Sequence, residues 1–542
     1  MVKRCIRPVV VFLALLFACA EGYAQGFGIH LDKKMYIAGD ALRYQIYYLD
    51  SLDKNPGLLY VCLFNSRRLT LDKQLLKLDS LGAEGCIYLP SDLETGRYIL
   101  HFYLVWDSQT GSEPKFDSGS IPVDIYNDFD EEISDLGQAG LVFPVAGQEI
   151  YARIKSRSRV QLVLTIDSSN TDQSFQNGSV SVFQYLPGLT DPNRSLQHNR
   201  SSDINTNSYE LRSQPVLEGL LVDPVRNIPV SEKYLSLFVP GLGSFQRFAA
   251  ESGKFRLKLP TFTGVQDVQA LSLNPNYSRP LEIRPLDFNP SPPEILFEGY
   301  PAQGPYIQAY LQMHYKRRIV NDFFKISEDK PGPPEHSFKT LIPDRVYDLK
   351  DFQQINTVGD FIREVMLDTR TSSVMDDRNR LRLRSKDNQD LFRWPAWIMV
   401  DGLFAGNESA VFQQEIGKVS TIGIFQKETT ILSQLDTMMK FSGLLEIKGS
   451  QLEDHAAEYG FLALPVQGWT SGSTWSFTPP LDTSTPDLRS MLYWNAKVKA
   501  DDTGKMVLGF HTSDLTGLFE IKLSGYDRLR RFVSRTFLIE IE

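Results

Sequence analysis

The chain has 542 residues, a formal net charge of -9, 42% hydrophobic and 23% charged residues, and 33 Phe and 23 Tyr. Such a length exceeds one hydrophobic core and suits about three to five domains, and the aromatic content suits sheets. The acidic balance argues against a nucleic-acid binder, which needs a basic face to neutralise phosphates.

The N-terminus reads as a signal peptide over 1–24. Lys3, Arg4 and Arg7 precede the apolar run from Val9 to Ala20, and Gly22-Tyr23-Ala24 offers a small-x-small cleavage site before Gln25. A helix over that run would span only about 18 Å, short of the roughly 30 Å hydrocarbon core. A second reading stays open. Leu16-Phe17-Ala18-Cys19 approximates a lipobox, and lipidation at Cys19 would tether the chain. No later stretch has the apolar length of a membrane helix. The mature chain keeps Cys62 and Cys86. An exported compartment permits a disulfide between them, and two buried thiols are the other reading.

Residues 27–127 alternate short strands and turns. Leu42, Tyr44, Ile46 and Tyr48 alternate with Arg43, Gln45 and Tyr47, the period of a strand. The spacing of some seven strands predicts a β-sandwich. Asp32-Lys33-Lys34-Met35-Tyr36-Ile37-Ala38-Gly39-Asp40 and Leu89-Pro90-Ser91-Asp92-Leu93-Glu94-Thr95-Gly96-Arg97-Tyr98 resemble the start and a later segment of the second macroglobulin-type (MG2) domain of the α2-macroglobulin superfamily. The acidic run Asp128 to Asp135 reads as a solvated linker rather than a calcium loop, which would need a central Gly and a distal Glu.

Residues 138–212 read as a second macroglobulin-like sandwich, with strands over 159–166 and Val180 to Tyr185 and a polar loop over Asp191 to Asn207. Residues 215–287, with Leu217 to Asp223, Ile228-Pro229-Val230 and Gly253-Lys254-Phe255-Arg256-Leu257, resemble the carboxypeptidase-regulatory-like sandwich. Residues 288–344 form a Pro-rich linker with a helix on which Ile307, Leu311, His314 and Arg318 share a face. A lone His there reads as a surface residue rather than a zinc ligand.

Over 345–450 the pattern changes. Thr357 can cap a helix that presents Phe361, Ile362 and Val365. Trp397 to Val400 is an apolar strand closed by Asp401-Gly402. A helical segment, a strand ending at Phe425 and Gly443 to Ile447 follow. This order predicts a small mixed sheet under one or two helices. Val400-Asp401-Gly402, Val419 to Phe425 and Gly443 to Ile447 resemble the plug domain of TonB-dependent outer-membrane receptors. The 94 residues after Lys448 (542 - 448) fall short of the about 22 strands of a plugged transporter, so a plug without a barrel is expected. Residues 468–542 read as a C-terminal macroglobulin-like sandwich.

The fold class expected is mainly β: serial Ig-like or macroglobulin-like sandwiches with one small α+β plug-like domain. Taken together, the order resembles secreted Bacteroidetes-type proteins that combine such modules. No catalytic, metal or cofactor constellation stands out. Neither Cys62 nor Cys86 is followed by the Gly-Glu-Gln of a macroglobulin thioester, and Ser244 lacks the second Gly of a nucleophile elbow. The expected function is therefore a non-enzymatic scaffold of the periplasm or outer membrane. Its partners would be outer-membrane proteins such as a TonB-dependent transporter, with membrane association indirect or through a lipid anchor. Trp394, Trp397, Asp401 and Gly402 are the candidate partner-binding residues, and Trp106, Trp469 and Trp475 are further exposed-aromatic candidates. The alternative is a protease-interacting defence protein without the thioester, with 191–207 as its bait.

Overall fold

The computed structural model describes residues 26–49, 57–129, 150–165, 175–187, 196–239, 244–286, 290–324, 341–430, 443–449, 459–470 and 484–542, with short breaks inside some of these ranges. The signal segment with Cys19, and Trp475, lie outside the described residues. The protein is mainly β, as expected. Among the described residues, no helix is long and apolar enough to cross a membrane. The chain divides into two compact units. One comprises Met1–Ser213, Pro290–Pro331 and Thr470–Glu542; the other comprises Gln214–Asn289 and Gly332–Trp469. The chain therefore passes from one unit to the other four times.

The first unit contains two sandwiches. One pairs Phe27–Leu31, Ala41–Tyr48 and Ala83–Tyr88 in a three-stranded sheet. It faces a seven-stranded sheet whose main order is Gln197–Arg200, Lys115–Tyr126, Gly96–Ser108, Gly57–Phe64 and Thr70–Leu78. The alternation read from the sequence holds, because Leu42, Tyr44, Ile46 and Tyr48 all enter the shared core. Tyr98 donates its hydroxyl to the Glu94 carbonyl at 2.8 Å, a tyrosine corner that fixes the turn before its strand.

The second sandwich departs from expectation. Its five-stranded sheet runs Met491–Val498, Phe175–Gln184, Gly517–Asp527, Phe532–Ile541, Ile150–Ile154, and Arg159–Thr165 pairs with Lys505–His511. Segments expected to form separate sandwiches over 138–212 and 468–542 thus share one core, which joins Val160, Val180 and Val182 to Leu508, Phe519 and Ile521. The boundary at 212 also shifts, since Gln197–Arg200 and Tyr209–Leu211 add to the sheet of the first sandwich. The reason is register: a strand this apolar on one face is buried by whichever partner completes its ladder, however distant in sequence.

The helix expected in the linker spans Pro305–Phe324 (α1). Pro305 stands at its first position, where a missing N–H costs nothing. Its buried face is Ile307, Tyr310, Leu311 and His314, packed on Met35, Ile37, Tyr126 and Leu186. This segment is therefore part of the first unit's core rather than a spacer.

In the second unit, residues 216–285 form the sandwich-like sheet ordered Ile228–Pro229, Val216–Asp223, Pro280–Pro285, Val265–Ser272, Glu232–Val239, Ser244–Ala250. Ala463–Gln467 returns from far along the chain to pair with Val265–Ser272. The α+β domain is built from strands between Arg345 and Lys448. Its sheet is ordered Arg345–Asp348, Thr421–Phe425, Leu444–Lys448, Trp397–Val400, Leu403–Phe404. Trp397–Val400 runs parallel to Leu444–Lys448, and the other pairs are antiparallel. Helices Val358–Glu364 (α2) and Glu408–Gln413 (α3) bury Val358, Phe361, Ile362 and Val411 in the same core as Ile398, Val400, Ile422 and Ile447. Thr357 caps α2 as expected, its hydroxyl accepting from the Asp360 N–H at 3.1 Å.

Candidate docking site on the α+β domain

Trp397–Val400 is apolar at every position and fully buried, which requires cover on both faces of the sheet. Asp401 and Gly402 then take φ values of +45° and +87°, and Val400 pairs with Leu403. Two central residues with positive φ make a type I′ turn, the hairpin geometry that Asp-Gly favours. A Cβ built on Gly402 would meet nothing within 4 Å, so the glycine serves the dihedral and not the packing. Asp401 is exposed. Its carboxylate accepts from the Gly449 N–H at 3.1 Å and its own N–H donates to Ile447 at 2.9 Å, so the turn is tied to the end of the neighbouring parallel strand.

The hairpin is also fixed from below. Phe404 is 0% exposed and packs edge-to-face on Trp397 at 5.4 Å and on Phe238 at 4.9 Å. The Gln269 side chain, 0% exposed, donates to the Phe404 carbonyl at 3.0 Å and accepts from its N–H at 2.8 Å. A primary amide here completes the backbone pairing of an edge strand, so both buried peptide groups are satisfied. Glu446 sits on the same sheet, 5% exposed. Burial raises its carboxyl above the ordinary glutamate value, Lys448 at 3.2 Å draws it down, and the Asp401 charge adds to the rise.

Of the candidate partner-binding residues, Asp401 and Gly402 stand at an accessible hairpin end. Trp397 does not: at 6% exposure it is a core residue, because the strand that carries it is buried throughout. Trp394 is half-buried, with the Arg393 guanidinium 4.9 Å from its ring centroid. Trp106 is buried and Trp469 half-buried. Cys62 and Cys86 are thiols and not a disulfide. They lie on strands of opposite sheets. Burial pushes the Cys86 thiol up to about 12.

Sequence reasoning missed a second arrangement, in the first unit. His314 is 7% exposed and not a surface residue. Its Nδ1 lies 3.0 Å from an Asp128 carboxylate oxygen and its Nε2 3.3 Å from Asp40. Asp40 also accepts from Lys33 Nζ at 2.7 Å, and Asp128 pairs with Arg318 at 2.6 Å. Asp128, expected in a solvated linker, is 4% exposed. The Asp-Lys-x-x-Tyr-x-x-Gly-Asp pattern explains the placement. The Tyr36 hydroxyl donates to Asp32 at 2.6 Å, Gly39 takes φ +91°, and the Ile37 N–H donates to Asp40. The loop is thereby folded on itself with Asp40 facing α1. Both imidazole nitrogens are engaged and buried, so His314 has no nitrogen left to act as base or ligand; it fastens the helix. Among the described residues, no group of three or more His, Cys, Asp or Glu could hold a metal ion.

No family model matches the chain, and no curated protein matches it. Several solved structures are similar. Trypsin-activated α2-macroglobulin from Escherichia coli shares 9% identity at a TM-score of 0.24, over 96% of this chain and 42% of that one. The native E. coli α2-macroglobulin gives 8% and 0.23, over 96% and 40%. Salmonella α2-macroglobulin reacted with methylamine gives 8% and 0.23, over 96% and 40%. The chain spans about two fifths of the length of these proteins, and so distant a likeness assigns no activity.

Proposed function

We propose that this chain is a non-enzymatic binding and scaffold protein of the cell envelope, exported to the periplasm or outer membrane. It docks on an outer-membrane protein of the transport or assembly class through the α+β domain. One observation carries the proposal. The Asp401–Gly402 turn closes a hairpin whose Phe404 is clamped on both backbone groups by Gln269, and Asp401 at its tip is exposed. A hairpin fixed in this way presents its turn with little freedom left to lose on binding, which favours recognition. The plug-like sequence order suggests the class of partner. The protease-interacting reading is less favoured, because part of its bait segment, Gln197–Arg200, is a strand in a ladder with Lys115–Tyr126.

Affinity purification from detergent-solubilised outer membranes of the native host tests the proposal. The wild-type chain should retain an integral outer-membrane protein. Gly402→Val should lose it, because a β-branched residue cannot hold φ +87° without strain, while its side chain would point into open space. Recovery of the chain alone from the soluble fraction would count against the proposal, and so would equal capture by both forms.

A further inference from the structure

In a chain of net charge -9, Arg378, Arg380, Arg382, Arg384 and Lys386 occupy five alternate positions with no acidic residue among them. Alternate positions of a strand share a face. Asn379–Leu383 is such a strand, and Leu381 and Leu383 are 0% exposed in the domain core. Arg382 and Arg384 therefore lie on the opposite face. The chain turns after Ser385 and runs back, with the Phe392 N–H donating to Leu383 at 2.9 Å and the Ala396 N–H to Leu381 at 2.8 Å. This return brings Arg393 beside Arg382, whose guanidinium donates to the Arg393 carbonyl, and Arg384 donates to the Gln389 carbonyl. On the other side, Arg370 is the register partner of Arg382.

The turn contributes two exposed acidic residues, Asp387 and Asp390, while the guanidiniums of Arg382 and Arg384 meet backbone carbonyls. Each guanidinium has five N–H donors, and the carbonyl contacts occupy few of them while fixing the direction of the rest. A face built this way has donors left for a further anion. We propose that it docks on an anionic lipid surface, whose headgroup phosphates take Arg382, Arg384, Lys386 and Arg393. The cations brought together by the strand, its turn and its return match an extended anionic surface, and Trp394, half-buried beside the Arg393 guanidinium, supplies an amphipathic ring of the kind that sits at headgroup depth. This inference does not depend on the outer-membrane protein partner.

The test is flotation of the full chain with vesicles of phosphatidylcholine alone or mixed with phosphatidylglycerol, at low ionic strength. The wild type should float only with the anionic vesicles, and less as salt rises. Arg382→Gln/Arg384→Gln/Arg393→Gln should lose about a hundredfold in partitioning, at about fivefold per cation, with an unchanged melting profile because these side chains face away from the core. The triple Lys variant, which keeps the charge, should bind within a few-fold of wild type. Inorganic phosphate at matched ionic strength should leave flotation intact. Failure of the wild type to float would overturn the proposal, as would equal flotation by the Gln variant. Displacement by inorganic phosphate would assign the face to the free ion, and binding of soluble polyphosphate without flotation would assign it to a soluble polyanion; either outcome also overturns it.

Discussion

Asp40→Asn is expected to cost the first unit about 3–5 kcal/mol at neutral pH, the range for breaking one side of a buried ion pair. Asp40 is 3% and Lys33 8% exposed, so the ammonium cannot reach water without opening the loop. Asparagine keeps the shape and an acceptor, but it leaves the Lys33 charge buried without a counter-charge and removes the anion facing His314. Adding Lys33→Met should recover part of the loss, since replacing both partners removes the stranded charge. The pH dependence has a definite sign. Burial alone would raise the Asp40 carboxyl, but the Lys33 ammonium and the His314 contact outweigh it and hold it well below its ordinary value of 3.8. The folded state thus binds this proton more weakly than the unfolded state. The stabilisation is fully present above the ordinary value and is lost as pH falls through the lower folded one. Denaturant titrations of wild type and Asp40→Asn should differ by a constant amount from neutrality down to about pH 4 and converge below it. Convergence on the alkaline side, or no difference at all, would remove the ion pair from the account.

Phe404→Ala should destabilise the second unit by about 3–5 kcal/mol, the range for a core aromatic. The ring fills the space between Trp397 and Phe238. Its backbone is held on both sides by the Gln269 amide, so the chain cannot sag to close the void and the cavity persists. Gln269→Ala should cost less, about 2–3 kcal/mol, through two orphaned buried peptide groups. A multidomain chain need not unfold in one step, so hydrogen exchange resolved by segment is the suitable readout. Protection should fall across 397–404, 421–425 and 265–272 together. Loss confined to 403–404 would mean that the domain and its sandwich are not energetically joined.

Much of the fold was legible where burial imposes a local period. The strand alternation at 42–48, the helix face Ile307, Leu311, His314, the Thr357 cap and the Asp401–Gly402 turn each follow from a few adjacent residues, and each holds. What failed was long-range. Val180 and Val182 read as a strand, but nothing nearby announces that Met491–Val498 and Gly517–Asp527 complete their sheet. Gln197–Arg200 read as a loop because an edge strand can be wholly polar. His314 read as a surface residue because its partners, Asp40 and Asp128, are 274 and 186 positions away. Trp397 read as exposed although its apolar neighbours Ile398, Met399 and Val400 already argued for a strand covered on both faces. The cation alternation from Arg378 to Lys386 was visible in the sequence throughout; its significance emerged only once Leu381 and Leu383 showed which face is buried.

The most direct measurement is site-specific photocrosslinking from position 401 in the native envelope, with the photoreactive side chain replacing Asp401. An integral outer-membrane protein should be the principal adduct, and Gly402→Val in the same chain should abolish it. A chain that crosslinks only to soluble proteins, or that gives the same adducts with the turn intact or strained, would contradict docking through this hairpin.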